Sequence, residues 1–120
     1  MEKVEYKNYG HIDDILLIGH GSIGRGVLPL MKRHFTFNNL MIVDPFPIVE
    51  PKTEKNIHFY KIQFLKGNYI QELDKLFLNS GKIKFLVNLS VYVESKDLIL
   101  YCQEKQILYI DTANYPWGED

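Results

Sequence analysis

Cysteine is almost missing from this chain of 120 residues: Cys102 stands alone. A single thiol excludes an internal disulfide and fits a reducing compartment, so a cytoplasmic setting is expected. An excess of either charge is missing too. The 14 Lys and Arg against 15 Asp and Glu leave a formal net charge of -1, and Arg25 and Arg33 are the only arginines. The basic residues are scattered, which gives nucleic acid or an anionic membrane no electrostatic footprint to bind. No apolar run approaches the roughly 20 residues of a membrane span. The opening Met1-Glu2-Lys3-Val4-Glu5 has no signal-peptide apolar core. His11, His34 and His58 show no metal-ligand spacing with Cys, Asp or Glu, so no metal is expected. Neither a Ser-His-Asp pattern nor a nucleophile elbow is present. Repeats, low-complexity tracts and inter-domain linkers are also missing. What remains is one soluble domain, long enough to bury roughly two-thirds of its unfolded surface.

Against those absences one stretch stands out, Asp14-Ile15-Leu16-Leu17-Ile18-Gly19-His20-Gly21-Ser22-Ile23-Gly24-Arg25-Gly26. Four apolar residues in a row read as a strand buried on both faces, as central parallel strands are. They run into Gly19-x-Gly21-x-x-Gly24 and then a helical pattern. Gly19 permits the tight bend, Gly21 lets backbone approach a pyrophosphate, and Gly24 allows close packing of helix on strand. The free N–H groups and positive dipole end of that helix would face the phosphates. His20, Ser22 and Ile23 fill the variable positions of the turn, with His20 lining it rather than transferring a proton. Arg25 faces either phosphate or solvent. A second strand, Leu40-Met41-Ile42-Val43, ends at Asp44, 20 residues beyond Gly24. A carboxylate there can take the adenine-ribose hydroxyls of a dinucleotide; otherwise it is a solvated strand-end acid. As a ribose ligand it also repels a 2′-phosphate, which favours NAD over NADP.

The rest of the chain continues the alternation. Residues Met1 to Asp13 are a polar lead-in, and the domain proper is expected over residues 14–120. The first strand is expected at about Ile15–Ile18, and the first helix over Ser22–His34 with Ile23, Val27, Leu30 and Met31 on one face. Pro29 falls inside that helix and should kink it. After Asp44, Pro45-Phe46-Pro47-Ile48-Val49-Glu50-Pro51 is too rich in proline for a regular helix and reads as a loop. A third strand is expected at Ile57–Ile62. Asn68 would cap a helix over Tyr69–Leu78, burying Ile70, Leu73 and Phe77, with Gly81 after its end. The fourth strand is Phe85–Ser90. Ser95 would cap a helix through Glu104 that buries Leu98, Ile99 and Cys102. The fifth strand, Ile107–Ile110, ends at Asp111-Thr112.

Strands alternating with helices imply an α/β fold, a Rossmann-type three-layer αβα sandwich. Its parallel sheet of five strands takes the order 3-2-1-4-5. Ligands of such sheets bind outside the carboxyl ends of the strands, where this chain gathers Gly19, Asp44, Asn88-Leu89-Ser90 and Asp111-Thr112. Asn88 and Ser90 contact the nicotinamide-side ribose or satisfy local backbone, and Asp111 and Thr112 carry the same two readings. The fifth strand leaves a sheet edge that invites a homodimer or a partner chain. Cys102 reads as a buried helix residue with nothing to activate it.

The matching residues extend beyond the glycines. Ile18-Gly19-His20-Gly21-Ser22-Ile23-Gly24-Arg25-Gly26-Val27-Leu28-Pro29-Leu30, Ile42-Val43-Asp44-Pro45, Phe85-Leu86-Val87-Asn88-Leu89-Ser90-Val91 and Leu108-Tyr109-Ile110-Asp111-Thr112 with Pro116-Trp117 give the chain its likeness. On these it resembles the N-terminal, NAD-binding part of homospermidine synthase, a relative of the saccharopine dehydrogenase group. The resemblance implies tightly held NAD and transfer of an aminobutyl group between polyamines, with hydride parked on the cofactor and later returned. It also implies a catalytic lobe that these residues do not include. Where the family has a glutamate before its Pro-Trp pair, this chain has Tyr115. The chain alone is therefore expected to bind NAD without completing catalysis, a polyamine becoming a substrate only once the site is completed. The alternative is a non-catalytic NAD-sensing or protein-interaction module on the same fold.

Overall fold

A computed structural model of the chain describes residues 10–19, 29–46, 55–90 and 93–111. Five strands and two complete helices follow in the order β1 (Gly10–Ile18), β2 (Phe35–Asp44), β3 (Ile57–Lys61), α1 (Tyr69–Leu76), β4 (Lys84–Asn88), α2 (Ser95–Lys105) and β5 (Leu108–Asp111). All four strand pairings are parallel, and the sheet order is β3-β2-β1-β4-β5, as expected. Residues 29–34 are helical and lead into β2; residues 20–28, and with them the glycine turn after Gly19, lie outside the described residues.

β1 and β2 are longer than their apolar runs. Ile15–Ile18 and Leu40–Val43 are buried on both faces in the middle of the sheet. Towards their amino ends the sheet meets solvent, and polar cross-strand pairs continue the ladder there. His11 Nδ1 lies 2.8 Å from Thr36 Oγ1, and the Asn39 amide donates to Asp14 Oδ1 at 3.2 Å. The second oxygen of Asp14 accepts the Gly81 N–H at 3.0 Å, which completes a buried carboxylate. Burial without compensating hydrogen bonds would be costly; these partners remove the cost.

The core lies on both faces of the sheet. On one, Leu16, Ile18, Met41, Val43 and Leu86 pack against Leu73 of α1 and Leu98, Tyr101 and Cys102 of α2. On the other, Ile15, Leu17, Leu40, Ile42 and Val87 pack with Met31. Several sequence expectations are corrected here. Leu30 and Ile70 point outward, each 49% exposed, and Ile99 is exposed while Tyr101 is buried in its place. The α2 face is Ser95, Leu98, Tyr101 and Cys102; Ile99 fits the same spacing of three and four, and packing takes Tyr101 instead. The Tyr101 hydroxyl reaches out of the core to Asp74 Oδ1 at 2.6 Å and so links α2 to α1.

Asn68 stands at the N-cap of α1 but makes no side-chain cap. Its amide instead braces the preceding loop, with Oδ1 accepting from the Leu65 N–H at 2.7 Å and Nδ2 donating to the Gln63 carbonyl at 3.1 Å. Glu94, not Ser95, is the N-cap of α2. Gly81 does not cap α1. Its missing side chain makes room for Asp13, whose Cγ lies 2.5 Å from where a Cβ would sit. α2 ends on Gln106, held at φ 59° without glycine's freedom.

Candidate functional site

The rim of the sheet is tied together by backbone. Beyond the ends of the strands, Gly19 N–H donates to the Val43 carbonyl at 2.7 Å, Leu89 N–H to Ile18 at 2.8 Å, and Ile62 N–H to Asp44 at 3.2 Å. The carboxyl ends of β3, β2, β1 and β4 are thereby fixed side by side in that order. Between them opens a cavity of about 210 Å³, lined by Gly19, Asp44, Pro45, Leu89 and Ser90 of the expected residues. Ile18, Phe46, Ile62, Gln63, Phe64 and Val93 complete it. The walls are mostly apolar with a few polar groups, the usual composition of a small-molecule site.

Gly19 needs to be glycine for two reasons. Its φ is +94°, and a Cβ placed on it would stand 3.2 Å from the Leu89 carbonyl carbon and 3.2 Å from the Ser90 nitrogen. The strand end and the loop after β4 therefore approach as closely as two bare backbones allow. Asp44 ends β2 in a tight turn: its Oδ1 accepts the Phe46 N–H at 2.9 Å, which folds Pro45 and Phe46 over the cavity.

Asn88 does something other than touch a ligand. At 1% exposure its side chain faces into the protein. Its amide donates to the Val93 carbonyl at 3.2 Å and to the Tyr109 hydroxyl at 3.3 Å, and its Oδ1 accepts the Ser90 N–H at 3.0 Å. Of the two readings of Asn88, these hydrogen bonds favour local backbone satisfaction, because each polar atom of the side chain has a partner inside the protein. Asp111 is likewise separate from the cavity. The Tyr109 hydroxyl donates to its Oδ2 at 2.9 Å, and the carboxylate borders two other hollows beside β5. β5 lies beyond β4, and none of its described residues lines the cavity. Burial pushes the Tyr109 hydroxyl up to about 12; the Asn88 hydrogen bond opposes the rise and that of Asp111 adds to it.

Of the remaining expected site residues, His20, Gly21, Ser22, Ile23, Gly24 and Thr112 lie outside the described residues. Ile62, Gln63 and Phe64 were missed because β3 ends on no glycine or acid. The strand-end rule, applied to β3 as to its neighbours, would have found them. Among the described residues no group of three or more His, Cys, Asp and Glu is placed to hold a metal, and no helix is long and apolar enough to cross a membrane.

Comparison with known proteins adds three findings. The family described as the saccharopine dehydrogenase NADP binding domain matches residues 15–119. Homospermidine synthases of Mesorhizobium japonicum and Blastochloris viridis are 41% and 39% identical over 113 residues. Each match takes in 91% of this chain but 23% and 24% of the relative, so the chain spans about a quarter of the length of the curated relatives it matches. The solved homospermidine synthase of Legionella pneumophila, in complex with NAD, is similar in fold. Its TM-score is 0.75 at 22% identity, over 93% of this chain and 24% of that one.

Proposed function

The chain belongs to the family of the saccharopine dehydrogenase NADP binding domain, and from that premise we propose that it is an NAD-binding domain that does not complete catalysis alone. The observation that carries this is the cavity in which Gly19, Asp44-Pro45 and Leu89-Ser90 meet at the carboxyl ends of four adjacent strands. The residues fit the cofactor. Gly19 lets the loop after β4 close against the strand end and form one side of the cavity, and Asp44 ends the strand where a ribose carboxylate belongs. NAD, when bound, supplies a hydride acceptor and donor. The chain's part is to hold the adenosine against Phe46, Ile62 and Phe64, to anchor the ribose through Asp44, and to pass the phosphates over the glycine turn. The relatives bear the name homospermidine synthase, and a polyamine would be the substrate once further chain completes the site. The cavity is open, and hydride chemistry needs water kept out.

Calorimetric titration with NAD and NADP tests the reading, with Asp44→Asn beside the unaltered protein. The asparagine keeps an acceptor for the Phe46 N–H while removing the charge. The unaltered protein is expected to prefer NAD. The variant should lose about tenfold in NAD affinity, as hydrogen bonds to a charged group worth ~1.5–3 kcal/mol require, and should discriminate less against NADP. No binding of either nucleotide would overturn the proposal.

A second reading, an NAD-sensing or protein-interaction module, is favoured by the edge of the sheet. Leu108 and Ile110 on β5 are 59% and 54% exposed, and Ile99 and Leu100 of α2 are also exposed. A homodimer or partner chain covering that edge would leave NAD affinity intact with no turnover of putrescine.

A further inference from the structure

The buried amide of Asn88 carries an inference that rests on the NAD reading and deepens it. Three cavity-lining residues, Leu89, Ser90 and Val93, come from the segment that follows β4. Asn88 grips that segment at two points, taking the Ser90 N–H on Oδ1 and giving an Nδ2 hydrogen to the Val93 carbonyl. A donor and an acceptor are both needed, from one planar group, which only an amide of this length supplies here. An aspartate would lack the donor, and a leucine of similar shape would lack both. The other Nδ2 hydrogen goes to the Tyr109 hydroxyl, which itself donates to Asp111. The chain Asp111–Tyr109–Asn88 thus braces the end of β4 against the end of β5.

What is braced is the side of the cavity that stands against Gly19. The Leu89–Ser90 backbone stands at the limit of approach to Gly19, so a shift of a few tenths of an ångström alters the width there. We infer that Asn88 is a positioning residue for the nucleotide: through Ser90 and Val93 it fixes the Leu89–Ser90–Val93 wall of the cavity against Gly19, with Tyr109 holding it in place. Strand order makes the consequence local. β3 and β2 supply one side of the cavity, with Asp44, Phe46, Ile62 and Phe64, and β1 and the loop after β4 supply the other, with Gly19, Leu89, Ser90 and Val93. On the NAD reading the adenosine takes the first side. Loosening Asn88 therefore weakens a ligand that must cross from β2 to β4 and spares one that stays beside Asp44.

The experiment titrates the full chain, Asn88→Ala and Tyr109→Phe with NAD by calorimetry and with adenosine by NMR chemical shift, and records the thermal midpoint of each. For Asn88→Ala, NAD affinity is expected to fall about tenfold while adenosine affinity stays within about twofold, the loss of two or three hydrogen bonds acting on one side of the site. Tyr109→Phe, which keeps the ring and both backbone contacts of Asn88, is expected to lose about threefold for NAD alone. Equal loss of NAD and adenosine would make Asn88 a merely structural residue and overturn the inference, as would unchanged NAD affinity. If Asn88→Ala does not fold, Tyr109→Phe decides by the same comparison. Failure of the unaltered protein to bind NAD would instead defeat the underlying reading, and this inference with it.

Discussion

Gly19 concentrates at one residue what the site demands of backbone. It ends the central strand, turns with φ +94°, and lies against the loop after β4 with no room for a methyl group. Gly19→Ala is expected to cost about 1–3 kcal/mol, the range for a side chain held in a sparsely populated backbone region. It should lower NAD affinity as well, because the added carbon pushes Leu89 and Ser90 outward. A variant with unchanged thermal midpoint and NAD affinity would show that the close approach does not matter. At this scale the sequence was legible where chemistry needs a rare residue type. Gly19 and Asp44 were readable from motif and spacing, and both line the cavity. Asn88 was readable as a rim residue but not as a buried one. A strand-end asparagine looks the same on paper whether it turns outward to a ligand or inward to Ser90 and Val93. Phe64 escaped for the opposite reason, since an apolar residue after a strand gives no sign of lining a site.

The elements show what periodicity determines and what it leaves to packing. The order and type of every described strand and helix followed from apolar runs and their punctuation. The faces of the helices did not, because spacings of three and four admit two neighbouring stripes. In α2 the stripe containing Tyr101 was chosen over that containing Ile99, and a hydroxyl with a partner in Asp74 lets the tyrosine lie in the core. The end of α2 holds another surprise. Gln106 adopts φ 59°, and beyond it the Ile107 N–H returns to the Cys102 carbonyl at 2.8 Å, a closure that glycine usually makes. Gln106→Gly is therefore expected to stabilise the domain by about 1 kcal/mol, less the entropy that glycine adds to the unfolded chain. Chemical denaturation measures this directly, and a lower midpoint for the variant would refute it.

Among the described residues, burial favours the neutral form of Tyr109, Cys102 and Tyr101. Burial raises the Tyr109 hydroxyl from 10.0 to about 12 and the Cys102 thiol from 9.0 to about 12, and it raises Tyr101 as well, with Asp74 adding to the rise. Each folded-state pKa exceeds its unfolded value, so the unfolded chain loses these protons first as pH rises. Their stabilising contribution is complete below pH 9.0 and drains away between there and about 12. Thermal midpoints should change little on this account through neutral pH and fall above 9.0, and Cys102 should resist alkylation until the fold opens. Alkylation at neutral pH in the folded state would contradict the burial. The sheet order was legible at this scale because parallel strands with alternating helices leave few arrangements. The reach of β1 and β2 was not, since the polar pairs that lengthen them become apparent only once their register is known.

The position of β1 has a consequence for how the domain comes into being. β1, the earliest of the described strands, lies at the centre of the sheet between β2 and β4. Its partner in β2 follows after 25 residues, as Asp14 meets Asn39, but its partner in β4 only after 70, as Asp14 meets Lys84. A chain emerging in sequence order can therefore assemble β1 with β2 and β3 early, while the other flank of β1 stays open until β4 arrives. The pairing of β1 with β4 closes the longest loop of the sheet, and closing distant contacts is what slows folding. Until β4 arrives, Gly19 has no wall opposite it, so the Leu89–Ser90 side of the cavity and the centre of the sheet are completed by the same event.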